Sequence, residues 1–258
     1  MTHPWFVGAR APRVLAHRGF VPPDVDGFVE NTFAAFAAAH AVGAEYVESD
    51  CHLTSDGIVV LFHDADLTRV TGDPRAVADV RHADLAAMMA DRGGLVTAAE
   101  ALDAFPTLRF NLDVKAADAA LPLGRIIAPH ADRVLITSFS DRRRQRALQA
   151  AHAAGGDPAT SAGQATIARL LAAAATGSRG LVARALAGVQ AIQVPERAGV
   201  VRIVTPRLVR AVHAVDVEVH VWTVNDAERM RALLDAGVDG LVTDRADIAL
   251  ATVRARQI

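Results

Sequence analysis

Short apolar runs alternate with longer segments rich in Ala and Leu along most of the chain. The short runs contain many Val, Ile and Leu residues, as β-strands do, and the longer segments repeat their apolar residues with helical spacing. Strands are predicted at residues 13–17, 45–50, 58–63, 108–114, 134–137, 159–162, 191–194, 217–223 and 240–243. Helices are predicted at residues 32–42, 98–104, 122–131, 141–153, 164–171, 206–214 and 226–236.

This alternation of strands and helices indicates an α/β protein built around one parallel sheet. Seven or eight strand–helix units in 258 residues favour a single (β/α)₈ TIM barrel over residues 1–258. An open doubly wound sheet is the alternative. Residues 65–95 interrupt the alternation after the second strand region. They are predicted to form a short insertion, or cap, with one helix at residues 83–89, because loops of that length usually serve a site.

Composition argues against several classes of function. A net charge of −2 predicts no general attraction to nucleic acid or to an anionic membrane. The single cysteine, Cys51, excludes an internal disulfide and fits a reducing compartment. The first residues contain no apolar segment typical of a signal peptide, and no apolar run is long enough to span a bilayer. We therefore expect a soluble, cytoplasmic protein.

Two predicted strands carry polar residues on one face near their carboxyl ends. Side chains alternate between the two faces of a strand, so Glu48 and Asp50 share a face. In the sequence FNLDVK, Asn111, Asp113 and Lys115 likewise share a face, opposite the apolar residues. Polar side chains at the carboxyl ends of barrel strands are where active sites are built. The alternative is a satisfied polar network or an exposed edge strand.

The three acids Glu48, Asp50 and Asp113 could converge on one divalent cation. Oxygen ligands select Mg²⁺ or Ca²⁺ over softer metals, with Mn²⁺ as a further possibility. Without a cation, three converging carboxylates would repel one another, and some would take up a proton. Zinc is disfavoured because the chain has no Cys and His spacing typical of a zinc site.

Two histidines and two cations complete the candidate site. His17 and His63 end two of the predicted strands, and imidazoles suit general acid and base roles because they titrate near neutrality. Arg18 follows His17, and Lys115 is the only Lys among 27 basic residues. Both cations suit the oxygens of a phosphate. A lone histidine at a strand end is more often structural, but this combination favours a site that breaks a phosphate ester.

The motifs then resemble those of the glycerophosphodiester phosphodiesterase family. The pattern is HRG, then ENT at the start of a helix, then E-x-D, DG, HD and R-x-TG, nearly continuous from Leu15 to Gly72. NLDVK, VWTVND and GVDGLVTDRAD extend the resemblance over nearly the whole chain, with a weak stretch at residues 155–199. The resemblance implies a (β/α)₈ barrel that hydrolyses glycerophosphodiesters to glycerol 3-phosphate and an alcohol.

The resemblance also implies roles for individual residues. His17 and His63 match the family's two acid/base histidines, and we expect His17 to be the first base. The implied reaction passes through a cyclic phosphate, formed by the neighbouring glycerol hydroxyl and then opened by water. Glu48 and Asp50 match metal ligands. Arg18 and Lys115 match residues that bind the phosphate. Glu30, Asn31 and Trp222 match residues in the substrate pocket or directly behind it.

Three features depart from the family pattern or stay open. Asp113 stands where a metal-binding Glu is common, so its reach to the cation is one methylene shorter and a bridging water could fill the gap. The insertion is shorter than in many relatives, which implies a smaller cap and leaves the released alcohol unspecified. Asp244 is interpreted as structural, and Asn225 as a cap or turn residue.

Two other functions remain open at this stage. One is a lysophospholipase D or a sphingomyelinase D-like phosphodiesterase on the same barrel, and the other is a barrel that binds phosphodiesters without cleaving them. The single Cys and the absence of a signal peptide disfavour the first, and the complete set of histidines and acids disfavours the second. The expected partner is therefore a small glycerophosphodiester, without nucleic acid or stable membrane insertion.

Overall fold

The computed structural model describes residues 2–9 and 11–256 and contains a nearly closed barrel of eight parallel strands. In chain order the strands are β1 (Arg13–His17), β2 (Tyr46–Leu53), β3 (Val59–Leu61), β4 (Arg109–Val114), β5 (Val134–Thr137), β6 (Ala159–Thr160), β7 (Ala191–Pro195), β8 (Arg197–Ala198), β9 (Val201–Arg202), β10 (Glu218–Trp222) and β11 (Gly240–Thr243). Around the barrel the order is β6, β5, β4, β2, β1, β11, β10, β7. A parallel bridge between Ser161 and Ala191 links the two remaining edges. The predicted (β/α)₈ fold is confirmed.

One predicted strand has a different place from the one expected. The run at 58–63 forms β3, which ends at Leu61 and pairs antiparallel with β2, outside the ring of eight. The connection from β2 to β3 is a short turn containing Gly57, and a parallel crossover needs a dozen or more residues. His63 therefore follows a hairpin strand, and the expectation that it ends a barrel strand is wrong.

Helices cover the outside of the barrel. They are α1 (Phe33–Ala41), α2 (Thr68–Thr71), α3 (His82–Met89), α4 (Ala98–Ala104), α5 (Ala120–Ile127), α6 (Asp141–Ala153), α7 (Gln164–Thr176), α8 (Arg179–Ala185), α9 (Pro206–His213), α10 (Ala227–Asp235) and α11 (Ala246–Ala255). The predicted helices at 98–104 and 141–153 have the observed bounds. The predicted helix at 122–131 is shorter, since a 3₁₀ segment (Ala128–Arg133) follows α5. The helices α8 and α11 were not predicted from the pattern.

The segment at 65–95 contains α2, α3 and short 3₁₀ turns, and it packs around its own apolar cluster. The cluster's buried members are Val60, Phe62, Leu67, Val77, Val80, Leu85 and Met89. Antiparallel bridges from Thr32 to Leu95 and from Val60 to Thr97 attach the segment beside β2 and β3. The insertion is therefore a packed element and not an open loop.

The barrel has a closed end and an open end. At the amino ends of the strands, Trp5 and Phe6 pack with Leu15, Tyr46 and others in an apolar cluster inside the barrel. The Trp5 indole N–H donates to the Phe110 carbonyl at 3.0 Å. A larger apolar core lies between the sheet and the helices. The N-terminal segment thus seals one end, and the carboxyl ends of the strands are left to form a site. Among the described residues, no helix has the length and hydropathy needed to cross a bilayer.

Candidate active site

A cavity of about 390 Å³ opens at the carboxyl ends of the barrel strands. Its lining contains eight of the ten residues predicted for the site. These are His17, Arg18, Glu48, Asp50, His63, Asp113 and Lys115, with Trp222 on the opposite wall. The two remaining predicted residues, Glu30 and Asn31, contact members of this lining from behind. All ten predicted residues therefore belong to one region of the fold.

The three predicted metal-binding acids share the inner face of two paired strands. In the register of β2 and β4, Asp50 lies opposite Asp113, and Glu48 lies opposite Asn111. The Lys115 ammonium bridges two of the acids, at 3.0 Å from Asp50 and 2.6 Å from Asp113. The parallel register thus brings together acids that are more than 60 residues apart in the chain.

Burial and like charge disturb the titration of this cluster. Burial, followed by the negative charge of Asp50, raises the pKa of Glu48 to about 8. Burial also raises the pKa of Asp113, although the Lys115 ammonium acts against the shift. Burial alone would lower the pKa of Lys115, but the charges of Asp50 and Asp113 outweigh it and raise that pKa. Such an excess of buried negative charge is typical of a site that binds cations.

The donor chemistry fits a hard divalent cation. Asp113 Oδ1 and Asn111 Oδ1 are buried and have no hydrogen-bond partner among the described residues. Carboxylate and amide oxygens are the ligands that Mg²⁺ and Ca²⁺ take. Within residues 2–9 and 11–256, however, no three His, Cys, Asp or Glu side chains converge in the arrangement of a metal cluster. The lysine-bridged acids therefore have suitable oxygens, and metal binding stays a prediction.

His17 is held at its ring by an acid from the last strand region. Its Nδ1 lies 2.6 Å from Asp244 Oδ1, and its Nε2 lies 3.9 Å from Glu48 Oε2. Burial would lower the pKa of His17, but the hydrogen bond to Asp244 and the charge of Glu48 raise it overall. Asn225 donates to Asp244 Oδ2 at 2.7 Å, which fixes the acid in turn. The Nε2 atom is thus directed toward the carboxylate cluster.

His63 has a matching arrangement. Its Nδ1 lies 2.6 Å from Asp64 Oδ1, and Arg69 Nε donates to Asp64 Oδ2 at 2.6 Å. Burial would raise the pKa of Asp64, but the hydrogen bonds from Arg69 and His63 lower it. A carboxylate bound to Nδ1 fixes the tautomer of the ring and leaves Nε2 for chemistry. The two histidines therefore line the cavity, each with its Nδ1 atom 2.6 Å from a carboxylate oxygen.

The HRG turn places Arg18 between acids. Arg18 has a left-handed backbone with φ of 58°, and its N–H donates to Glu48 Oε2 at 3.2 Å. A Cβ atom on Gly19, where φ is 86°, would come within 2.8 Å of Ala35. Only glycine tolerates this close approach, so the turn explains the motif. The guanidinium contacts Glu30 at 2.8 Å and Asp50 at 3.3 Å.

Asn31 stands behind the acid cluster. Its amide donates to Asp50 Oδ2 at 3.1 Å, and its carbonyl oxygen accepts from the Ser49 hydroxyl at 2.6 Å. The residue is 2% exposed and has a left-handed backbone with φ of 57°. A strained, buried residue with both amide groups bonded is suited to orienting a neighbouring ligand. Asn31 therefore supports Asp50 and does not line the cavity itself.

The wall opposite the acids is apolar. Trp222 packs edge-on against Phe139 with ring centroids 5.7 Å apart, and Ile167, Val194 and Pro195 extend this surface. The Phe139 ring also lies 5.4 Å from the Lys115 ammonium. The cavity thus has a charged side and an apolar side.

Four contacting residues were missed or assigned other roles in the sequence analysis. Asp244 holds His17, Asn225 holds Asp244, Asp64 holds His63 and Arg69 holds Asp64. The interpretation of Asp244 as structural is therefore incomplete. The HD pair at 63–64 and the R-x-TG motif carried a signal for the second arrangement. The motif GVDGLVTDRAD includes Asp244, but nothing in the sequence links that residue to His17, which lies 227 residues away.

Comparisons with known proteins identify the family of this chain. A model of the glycerophosphoryl diester phosphodiesterase family matches residues 17–248. A Mycobacterium tuberculosis protein named probable glycerophosphodiester phosphodiesterase 2 is 39% identical over 242 residues, covering 91% of this chain and 88% of that protein. A Rattus norvegicus lysophospholipase D is 32% identical over 117 residues, covering 40% of this chain and 36% of that protein.

A solved structure shows the same fold. An Oleispira antarctica phosphodiesterase, in complex with the product sn-glycerol-3-phosphate, matches with a TM-score of 0.72 at 21% identity. The match covers 95% of this chain and 97% of that one. The resemblance stated from the sequence motifs is confirmed by the family match and by the M. tuberculosis relative. The chain belongs to the glycerophosphoryl diester phosphodiesterase family, whose members are phosphoric diester hydrolases.

Proposed function

We propose that this protein hydrolyses glycerophosphodiesters to glycerol 3-phosphate and an alcohol, with two histidines as acid and base and one divalent cation. The observation that carries the proposal is the pair of imidazoles, each bound through Nδ1 to its own acid and both lining one cavity with three carboxylates. The family match and the relative named as a glycerophosphodiester phosphodiesterase support the substrate class.

The proposed first step uses the glycerol hydroxyl next to the ester. His17 Nε2 takes the hydroxyl proton, the freed oxygen attacks phosphorus, and His63 gives a proton to the departing alcohol oxygen. A cyclic phosphate results. Water then opens the ring, with His63 taking the water proton and His17 returning its proton to the glycerol oxygen. Both ring orientations and the raised pKa of His17 support these roles.

Charge on the phosphate is offset by groups on the same side of the cavity. We propose that Arg18 and Lys115 bind phosphate oxygens, while Glu48, Asp50 and Asp113 hold Mg²⁺, Ca²⁺ or Mn²⁺. When bound, the cation would polarise a phosphoryl oxygen. The pKa of Glu48 near 8 implies that cation binding displaces a proton from the cluster. Trp222 and Phe139 would pack against the carbon atoms of the substrate.

The test is a ³¹P NMR assay of a panel of glycerophosphodiesters with and without each of the three cations. We expect glycerol 3-phosphate as the product, loss of turnover with a chelator, and recovery when a cation is added. Turnover that a chelator leaves unchanged would overturn the metal requirement. A cation-loaded protein that is inert toward the whole panel would favour a binding role instead.

The second candidate is a lysophospholipase D. The 32% identical match to the rat enzyme over 117 residues and the apolar wall around Trp222 favour it. Hydrolysis of lysolipid micelles, compared with hydrolysis of water-soluble glycerophosphodiesters under the same conditions, would separate the two activities. We expect faster turnover of the soluble esters.

A further inference from the structure

Arg69 lies in α2, within the insertion, and its guanidinium joins two acids behind the cavity. Its Nε contacts Asp64 Oδ2 at 2.6 Å, and its Nη2 contacts Glu30 Oε1 at 2.6 Å. Each acid contacts a residue that lines the cavity. Asp64 binds the ring of His63 at 2.6 Å, and Glu30 binds Arg18 at 2.8 Å. Arg69 therefore links two series of contacts, one through Asp64 to His63 and the other through Glu30 to Arg18.

The first series of contacts, through Asp64, holds the ring of His63. An ionised acid on Nδ1 keeps the proton on that nitrogen and leaves Nε2 free to exchange a proton with substrate. Arg69 keeps Asp64 ionised and fixes the rotation of its carboxylate, because it occupies the oxygen that does not face the imidazole. His63 lies in a loop after β3, where its carbonyl oxygen lies 3.1 Å from His52 Nε2 and the preceding Phe62 N–H donates to the Asp50 carbonyl. These contacts hold the backbone, and the contact with Asp64 orients the ring.

The second series of contacts, through Glu30, holds the guanidinium of Arg18. Glu30 Oε1 accepts from both Arg18 and Arg69, so the acid cannot rotate away without losing two charged hydrogen bonds. Arg18 shares Glu30 with Arg69 and shares Asp50 with Lys115, so neither acid is paired with Arg18 alone. This arrangement favours a further anion on the cavity side of its guanidinium.

We propose that Arg69 is a positioning residue that aligns His63 and Arg18 on one substrate phosphate, acting through Asp64 and Glu30. The insertion at 65–95 would thereby support catalysis from beside the cavity. This inference rests on the proposed function for its kinetic consequences, and on geometry alone for its effect on His63.

A merely stabilising role predicts a different result. The Arg69 side chain is 51% exposed, and exposed ion pairs contribute little to folding. Substitution should therefore leave the melting temperature nearly unchanged while activity falls. Arg75 provides a matched control, because it lies in the same insertion, is 47% exposed and pairs only within the loop, with Asp73.

The kinetic experiment is a pair of double-mutant cycles. We expect Arg69→Ala to lower kcat/KM about 10-fold, within the range for residues that orient ligands from behind. In an Asp64→Asn background the same change should no longer lower kcat, and in a Glu30→Gln background it should no longer raise KM. Arg69→Lys should recover part of the loss, and Arg75→Ala should match the wild type. The proposal would be overturned if Arg69→Ala lowered kcat/KM by the same factor in both backgrounds as it does in the wild type.

A second measurement needs no substrate and therefore remains informative if the proposed function fails. In ¹H–¹⁵N NMR spectra of the imidazoles, the Nδ1–H signal of His63 should be protected from exchange in the wild type and in Arg75→Ala. In Arg69→Ala it should broaden or disappear, while the corresponding signal of His17 persists. An unchanged His63 signal in Arg69→Ala would overturn the proposal, whatever the activity.

Discussion

The two ends of the barrel shift the pKa of a glutamate in opposite directions. At the closed end, Glu218 binds Arg13 through both carboxylate oxygens, each at 2.7 Å, and contacts the His220 ring at 3.0 Å. Burial alone would raise the pKa of Glu218, but these hydrogen bonds lower it to about 2. At the open end, burial and the charge of Asp50 raise the pKa of Glu48 to about 8.

The side chain of Glu218 is 25% exposed and that of Glu48 is 9% exposed, but burial raises the pKa of both, so the partners decide the direction of each shift. The Arg13 guanidinium makes its hydrogen bonds at the closed end, since it also contacts the Tyr46 hydroxyl and the Phe6 carbonyl. At the open end, Lys115 is shared by Asp50 and Asp113, and Glu48 lies beside both acids. A satisfied ion pair adds order to a structure, whereas surplus like charge costs stability and can be offset by a bound cation. In barrels of this kind, stability belongs to the closed end and function to the open end.

A row of polar side chains connects the two ends through the barrel. Asn111 donates to Gln193 at 3.3 Å, Gln193 lies 3.3 Å from His220 Nδ1, and His220 Nε2 lies 3.0 Å from Glu218. Gln193 presents its oxygen to Asn111, whose own oxygen is buried without a hydrogen-bond partner among the described residues. A continuous row of polar side chains therefore runs from the ion pair at the closed end to the lining of the cavity.

The largest expected effect is on activity at the open end. His17→Ala should lower kcat about 10²- to 10⁴-fold, because the general base is lost. The melting temperature should stay close to that of the wild type, since His17 is held by one acid that keeps its bond to Asn225. His213→Ala, which removes a surface histidine paired with Asp239, is the control and should keep full activity. Full activity in His17→Ala would remove the acid/base assignment.

The next effect is on stability at the closed end. Arg13→Met should lower the free energy of unfolding by about 3–5 kcal/mol, because it leaves the Glu218 carboxylate without its main partner. Urea denaturation measures the change. Arg75→Met, which breaks an exposed pair, should cost less than about 1 kcal/mol. Equal stability of the two variants would contradict the contrast between the ends.

The pH dependence of the closed end gives a smaller effect. Because the folded pKa of Glu218 lies below its unfolded value, its contribution is present above about pH 4.5 and is lost as the pH falls toward 2. Glu218→Gln removes this dependence. The wild type should exceed the variant in unfolding free energy by about 2–3 kcal/mol at pH 7, and the gap should narrow in acid. A gap that stays constant from pH 7 to pH 3 would contradict the assigned shift.

The last effect is expected at Glu48 and has the opposite sign. Its folded pKa lies above the unfolded value, so the wild type should lose stability as the pH rises from about 4.5 to 8. Glu48→Gln should therefore gain stability over the wild type between pH 5 and pH 8.5 in a chelator. Urea denaturation at the two pH values measures it. If the unfolding free energies of the two proteins changed equally with pH, the repulsion between Glu48 and the neighbouring acids would cost no stability.

Much of the site could be predicted from strand alternation. The two-residue period placed Glu48 beside Asp50, and Asn111, Asp113 and Lys115 on one face, and the register of β2 and β4 brought these faces together. His63 shows the limit of this reasoning. An apolar run of five residues, here Ile58 to Phe62, has the same composition in a barrel strand and in a hairpin, and only the short turn at Gly57 distinguishes the two.

The sequence by itself determined the fold class and the chemical types at the site, because hydrophobic period and residue chemistry are local properties. Only the tertiary structure decided which acid holds which histidine and which end of the barrel has its charges paired. Asp244 reaches His17 across 227 residues, and Glu218 reaches Arg13 across 205. Contacts of that range depend on how the ring of strands closes. The free energy of each charge therefore depends on partners that no local pattern identifies.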